Sequence, residues 1–282
     1  MKRIAKRALC ILLALPLLFC LFACRREKTD GLRVAVLDAG QGDCILISQG
    51  ENHLLIDSGA AAERDAVLSE LTARGVKDLN AFVVTHPHED HYGNARAVLE
   101  TRTVSRLILS DIPSDELGYR LMTEAAARCE IPISTVRDET YAFMLGDAVC
   151  EVFCPLPEAS DANNAGLVVR VTFGACALLF MGDAEGEAEA ALLPLLGERA
   201  HCDLLKVGHH GSRAGTTAEF LQATAPTVAA ISCGEDNDYG FPHREVLERL
   251  EEVGARVYRT DLSGTLDFVC DGETVAFTGK EP

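Results

Sequence analysis

The chain has 282 residues, with 26 Lys and Arg against 43 Asp and Glu and a formal net charge of −17. The first 24 residues hold four of the basic groups and no acid, which leaves 22 basic against 43 acidic residues, or −21, on the rest. That balance argues against nucleic-acid binding through a broad basic surface, which works by Lys and Arg releasing counterions from phosphate, and against docking on anionic lipid through a polybasic patch; a 48% hydrophobic content excludes a disordered chain.

In chain order, residues 1–7 are basic and Ala8 to Cys24 is a 17-residue stretch with no charge. A basic start followed by a short apolar run reads as an export signal over residues 1–24. The run is short for a spanning helix, which needs about 20 apolar residues, and Pro16 weakens a continuous helix. Its end, Leu21-Phe22-Ala23-Cys24, resembles the bacterial lipobox, in which the Cys is lipidated, although Phe22 is bulky for that motif. An uncleaved anchor and free secretion are the alternatives; the first two readings place the body outside the cytoplasm, behind a short tether over residues 25–32.

From Leu32 β signals begin. Arg33–Asp38, Asp43–Ser48 and His53–Asp57 are short apolar runs separated by Gly40-Gln41-Gly42 and Gly50-Glu51-Asn52 turns. Ala60 to Arg74 reads as an amphipathic helix with Val67, Leu68 and Leu71 on one face. Ala81–Val84 is a buried strand, Arg106–Ser110 another, and Asp115–Cys129 a helix. Strands follow at Ala148–Cys154, Gly166–Phe173 and Cys176–Met181, and Ala184–Leu196 is helical. Asp203–Val207 is a strand ending in Gly208-His209-His210-Gly211-Ser212. Thr216-Thr217-Ala218-Glu219 has capping-box spacing. Thr227–Ser232 is a strand, His243–Glu252 a helix, and Gly264–Cys270 with Thr274–Thr278 a terminal hairpin. Two β-rich halves, each interleaved with helices, suit two sheets packed face to face with helices outside, as one α/β domain. Eight Cys lie beyond the leader and none forms CxxC, so buried free thiols are the simplest reading.

The strongest chemical signal is Thr85-His86-Pro87-His88-Glu89-Asp90-His91-Tyr92-Gly93-Asn94, where three His and two acids fall within six residues at the end of an apolar strand. Imidazole and carboxylate are the donors a borderline divalent cation prefers. His86 and His88 project to the same side of an extended backbone, and Asp90 and His91 can face a second ion once the chain turns. Asp183 stands at a strand end, where a helix N-cap is the structural alternative.

The His86–His91 run is HxHxDH, the signature of the metallo-β-lactamase superfamily. Val36-Leu-Asp-Ala-Gly-Gln-Gly-Asp-Cys44, Leu55-Ile-Asp-Ser-Gly59, Asn163-Asn164, Phe180-Met-Gly-Asp183, Leu205-Lys-Val-Gly-His-His-Gly-Ser212 and Tyr239-Gly-Phe-Pro-His243 flank it, in that order along the chain. Together they resemble the extracellular hydrolase domain of ComEC-type DNA-uptake competence proteins, over essentially residues 33–280. The resemblance implies a four-layer αββα sandwich and two divalent ions; imidazole and carboxylate donors suit zinc first, and an oxygen-rich set with Asn164 would also suit manganese. It implies His86 and His88 on the first ion, Asp90 and His91 on the second, and Asp183 bridging them. One of His209 and His210 completes the second ion; His210 is the preferred ligand, and His209 is left for substrate or leaving group. No His lies between His91 and His201, and Asn164 is the expected neutral oxygen near the first ion or the substrate, with a loop cap as the alternative. His243 either lines the site or caps the helix that starts there. Asp57 is expected to orient a ligand His, and Asp43 either to shape a turn or to support the site.

The chemistry implied is metal-dependent hydrolysis, most directly of a phosphoester or phosphodiester. The alternatives are a DNA-degrading nuclease linked to competence and a lipid-anchored binding factor with a vestigial site. The expected partners are a small phosphoester or a nucleic-acid end, and the membrane through a lipid or N-terminal anchor; the chain shows no broad nucleic-acid surface.

Overall fold

In the computed structural model, which describes residues 31–280, the apolar runs become two large sheets. The leader, lipobox and most of the tether lie outside the described residues. The first half contains β1 (Leu32–Val36), β2 (Ile45–Gln49), β3 (Asn52–Ile56), α1 (Arg64–Ala73), β4 (Asp78–Leu79), β5 (Ala81–Val84), α2 (Glu89–Tyr92), α3 (Ala95–Thr101), β6 (Thr103–Val104), β7 (Leu107–Ser110), α4 (Leu117–Arg128) and β8 (Ile133–Val136). The second contains β9 (Tyr141–Leu145), β10 (Ala148–Phe153), β11 (Val168–Phe173), β12 (Cys176–Phe180), α5 (Gly186–Leu196), β13 (Leu204–Lys206), α6 (Ala218–Thr224), β14 (Val228–Ile231), α7 (Arg244–Glu252) and β15 (Arg256–Arg259). After α8 (Thr260–Ser263), β16 (Leu266–Cys270) and β17 (Val275–Phe277) return to the first sheet.

One sheet has the order β17-β16-β1-β2-β3-β5-β7-β8 and the other β15-β14-β13-β12-β11-β10-β9; β4 and β6 form a small separate ribbon. In each sheet a run of antiparallel pairs gives way to parallel ones: β3, β5, β7 and β8 in the first, β12 to β15 in the second. A strand buried on both faces reads as a continuous apolar run, and β3 shows why. Leu54 and Ile56 enter the core between the sheets, where they join Val83, Val169, Leu178 and Phe180. Leu55, between them, points the other way and packs with Phe82, Leu71, Val98 and Met122 under the helices. On the far side Leu179, Leu205 and Ile231 meet Leu192, Phe220, Val246 and Leu250 of α5, α6 and α7. The layers are therefore helix, sheet, sheet, helix, as the sequence reading expected.

Several elements differ from that reading. Ala60–Arg74 splits into a short 3-10 turn at Ala61–Glu63 and α1. α5 starts at Gly186 with Glu185 in the cap position, so Asp183 is not a helix cap. The capping residue of α6 is Thr217, whose hydroxyl oxygen accepts the Phe220 N–H at 3.3 Å, not Thr216. The acid closing this cap is Glu189 of α5, which accepts the Thr217 N–H at 2.9 Å and its hydroxyl at 2.8 Å. β8, β9 and β15, the β4–β6 ribbon and the short helices α2, α3 and α8 were not anticipated. β8 and β9 are half-exposed edge strands without a long apolar run, and the ribbon is two residues per strand. All eight Cys of the described residues are free thiols, seven of them buried. No described helix is long and apolar enough to cross a membrane.

Candidate metal centre

The site lies where β5, β12 and β13 end. β5 is buried along its length, and the chain leaves it through Thr85 and the extended His86-Pro87-His88 segment before turning into α2. The extended backbone brings His86 Nε2 within 3.0 Å of His88 Nδ1. α2 then swings Asp90 and His91 back toward the same space, His91 fully buried. Glu89 faces away and accepts the Ala61 N–H at 2.6 Å. Asp57, at the end of β3, holds this turn: its carboxylate accepts the Thr85 N–H at 2.7 Å and the Thr85 hydroxyl at 2.8 Å, and pairs with His91 Nδ1 at 2.8 Å. A proton on Nδ1 leaves the His91 Nε2 lone pair facing inward, the orienting role a carboxylate plays behind a ligand His. Gly93 permits the packing, since a Cβ there would stand 2.4 Å from the Ala61 nitrogen.

Asp183 approaches from the end of β12. Its Oδ1 lies 3.3 Å from His91 Nε2 and 3.5 Å from His210 Nε2, while its Oδ2 lies 3.8 Å from His86 Nε2 and 3.7 Å from His209 Nε2. The two oxygens thus face two different groups of donors. His210 Nε2 is also 3.4 Å from Asp90 Oδ2. His209 and His210 both have positive φ, 46° and 52°, a conformation rare for residues with a Cβ. A buried network holds them. His210 Nδ1 donates to the Ser232 carbonyl at 2.9 Å. The fully buried Lys206 ammonium bonds the Asp43 carboxylate and the Gly182 carbonyl, the latter at 3.1 Å, and Asp43 also accepts from the Ser232 hydroxyl.

The charges are strongly coupled. Burial opposes a charged His91, but the Asp183 and Asp57 carboxylates outweigh it and hold its pKa well above the ordinary value. Burial likewise opposes ionised Asp183, and His91 and His210 overcome it, holding that carboxyl well below the usual range. Burial also acts against Asp90, but the nearby His210 imidazole and the charge of His91 bring it down to about 2. For His86, burial and then the neighbouring His91 push the pKa well down, so its imidazole is neutral.

This donor set fits a divalent cation. His91 Nε2, His210 Nε2 and Asp183 Oδ1 are buried with no hydrogen-bond partner, an arrangement that is costly unless something else satisfies them. Donors about 2.0–2.2 Å from one tetrahedral cation stand roughly 3.4 Å from each other, and the spacings among Asp90, His91, Asp183 and His210 run from 3.3 to 3.6 Å. Asp90, His91, Asp183 and His210 form one cluster of potential ligands; His86, His88 and Asp183 form another, and they share Asp183. A third cluster, Asp43, Asp57 and His91, has its carboxylates committed to Lys206, Ser232 and Thr85.

The structure brings His86, His88, Asp90, His91, Asp183, His209 and His210 together. For Asn164 and His243 it favours the capping alternative over a place at the metal. The Asn164 side-chain oxygen accepts the N–H groups of Glu185 and Ala188, each at 3.2 Å, and so caps α5 rather than serving a metal. Asn163 is the nearer neighbour, its Nδ2 being 3.5 Å from His209 Nδ1. His243 stands at the N-terminus of α7, where its Nδ1 accepts the Arg213 N–H at 3.1 Å, outside the cluster. Lys206, Ser232 and Thr85 were missed as supports. So was Glu185, which lies 2.8 Å from His209 Nδ1. Lys206 carried a signal, a lone charge in an apolar strand beside the His pair.

Relatives agree with this geometry. "ComE operon protein 3" of Bacillus subtilis is 30% identical over 270 residues, covering 89% of this chain and 34% of that protein. "Competence protein ComA" of Neisseria gonorrhoeae is 32% identical over 240 residues, covering 83% and 32%. The chain thus spans about a third of the length of these curated relatives, which are of the ComEC type. Among solved structures, the diiron β-hydroxylase CmlA of Streptomyces venezuelae shares the fold, with TM-score 0.53 and 13% identity over 82% of this chain and 53% of that one. So does a Parabacteroides distasonis protein named as a metal-dependent hydrolase, with TM-score 0.51 and 12% identity over 82% of this chain and 93% of that one. The family model described as "Metallo-beta-lactamase superfamily" matches residues 37–235. With that match, this fold and a His/Asp site suited to metal-dependent hydrolysis, the chain belongs to the metallo-β-lactamase superfamily.

Proposed function

We propose that the chain is an exported, membrane-anchored hydrolase that uses two divalent ions, zinc in preference to manganese, to cleave a phosphoester or phosphodiester. The observation that carries this reading is the division of Asp183, with Oδ2 facing His86 and Oδ1 facing His91 and His210. In this reading His86 and His88 share one ion with Asp183, and Asp90, His91 and His210 share the other. Bound divalent ions supply a water of lowered pKa and polarise the electrophile. The chain's own groups set the geometry. Asp57 and the Ser232 carbonyl fix the tautomers of His91 and His210. His209 is partly exposed, with Glu185 against Nδ1 and its Nε2 3.7 Å from Asp183 Oδ2, so its ring stands at the edge of the cluster where substrate or leaving group would pass.

The net charge of −21 beyond residue 24 favours a small ester or strand end over a long tracked strand. The names of the competence relatives favour a second reading, a DNA-degrading partner of DNA uptake. The intact ligand set weighs against a vestigial binding factor. The test is a panel of single-stranded DNA, small phosphodiesters, phosphorylcholine and a cephalosporin, each with and without chelator. Chelator-sensitive turnover of small phosphodiesters is the expected result; turnover of none of the phosphate esters would remove the reading. Export and anchoring rest on the Ala8–Cys24 run and its lipobox-like end, and loss of palmitate labelling in Cys24→Ala is their check.

A further inference from the structure

Beside the metal centre stands a short array of rings. The Phe241 ring meets His209 edge-on at 5.5 Å between centroids, and His209 Nε2 lies 3.7 Å from Asp183 Oδ2. Tyr239 stacks on Phe241 with centroids 5.3 Å apart and planes 17° from parallel. Tyr239 is 66% exposed, so one face of its ring lies on Phe241 and the rest is open to solvent. An exposed aromatic costs solubility and needs a reason when it is also held rigid. Here the loop is braced: the Asn237 Nδ2 donates to the Phe241 carbonyl at 2.8 Å and to the Gly234 carbonyl at 2.9 Å, and its Oδ1 accepts the Phe241 N–H at 2.9 Å. The loop is also seated against the His209-His210 turn. The His243 N–H donates to the Gly211 carbonyl at 2.9 Å, and a Cβ on Gly211 would stand 2.5 Å from Pro242 Cβ.

We infer that Tyr239 and Phe241 form a stacking shelf for one nucleobase, and that the substrate of the metal centre is a nucleoside phosphodiester whose phosphate reaches Asp183 past His209. The inference rests on the phosphoesterase reading and specifies it. A flat ring bound to a phosphate ester is the chemistry that uses a shelf and a metal pair at neighbouring positions, because every base has a π-face to stack and its ester reaches outward from the sugar. The loop also limits length. Exposed Glu235, Asp236 and Asp238 directly precede Tyr239, and they repel the further phosphates of a polymer while the metal ions neutralise the one being cleaved. The exposed cations beside this loop face carboxylates: the Arg213 guanidinium lies 3.5 Å from Glu245 and that of Arg244 3.3 Å from Glu248.

The test compares thymidine 5′-(p-nitrophenyl phosphate) with methyl p-nitrophenyl phosphate on the metal-loaded protein. Wild type is expected to show the lower KM for the nucleoside ester by about 5- to 150-fold, the range set by one base stacking on one ring. Tyr239→Ala should bring the two KM values together and Tyr239→Phe should restore the gap. An independent readout is quenching of 2-aminopurine deoxynucleoside monophosphate fluorescence, which is expected with the loaded wild type and lost in Tyr239→Ala. Equal KM values in wild type with no quenching would overturn the shelf while leaving the phosphoesterase standing. Hydrolysis of neither ester, with quenching intact, would remove the phosphoesterase and keep the base site. A much lower KM for a twenty-nucleotide strand than for the nucleoside ester would overturn the single-base limit.

Discussion

The turn from Thr85 to Tyr92 and the turn from Gly208 to Ser212 both deliver histidines to Asp183, by different means. In the first, the backbone is a strand end running into a helical turn, and one carboxylate, Asp57, ties its start to its end through Thr85 and His91. In the second, His209 and His210 both sit at positive φ, a conformation that costs of order 1–3 kcal/mol per residue and persists only when its surroundings impose it. Those surroundings come from far along the chain: Lys206 meets Asp43 across 163 positions and Asp43 meets Ser232 across 189. A dense run of ligands can be organised locally, whereas a strained pair depends on a buried ion pair spanning both halves of the sandwich.

Asp183→Ala removes the element both turns share and should have the largest effect. Bound metal measured by elemental analysis is expected to fall below one equivalent, with kcat reduced by at least about 10³-fold. Retention of both ions would show that the turns assemble their sites independently.

Lys206→Met attacks the second turn alone. It leaves Asp43 as a buried carboxylate without its cation, a change that typically costs about 3–5 kcal/mol and is readable by urea unfolding. Metal affinity should fall with it, because Lys206 also holds the carbonyl of Gly182, next to Asp183. Adding Asp43→Leu should return part of the stability, since the stranded charge is then gone. Unchanged stability in the single variant would break the claimed dependence on the ion pair.

Asp57→Asn tests the first turn. The amide keeps one acceptor for Thr85 but cannot act as a carboxylate against His91 Nδ1, so the tautomer and basicity of that ligand change. A loss of about 10- to 100-fold in metal affinity is expected by chelator competition, with a smaller loss of stability than for Lys206→Met. The reverse order of the two stabilities would invert the comparison.

The two turns also differed in how far they could be read from sequence. The clustering of His86, His88, Asp90 and His91 was legible because these potential ligands crowd into six residues after an apolar strand, and the double-sided burial of strands such as β3 made the sandwich legible too. The supports of the second turn were not, because Asp43, Lys206 and Ser232 are brought together only by the packing of the two sheets. Local spacing also misled. Thr216 to Glu219 matched a capping box, but Thr216 has a φ of 54° and the acid that closes the cap comes from α5. Tyr239 and Phe241 lie in a stretch that carries the family resemblance, and only the fold sets their rings beside His209.

Asn164→Ala has the smallest expected effect and separates a ligand from a cap. A residue serving a metal would, when truncated, lower metal content or affinity and leave the melting of the fold much as before. Asn164 instead accepts the amides of Glu185 and Ala188 at the start of α5 and donates to Asp161 at 3.2 Å. Truncation therefore strands donors at a helix N-terminus, for which about 1–2 kcal/mol is the usual cost. That loss should appear in urea unfolding at saturating metal, with metal stoichiometry at the wild-type value. α5 begins three residues after Asp183, so a cap that proved to matter for affinity as well would mean the Asp183 carboxylate is positioned through its helix as well as through the Lys206 network.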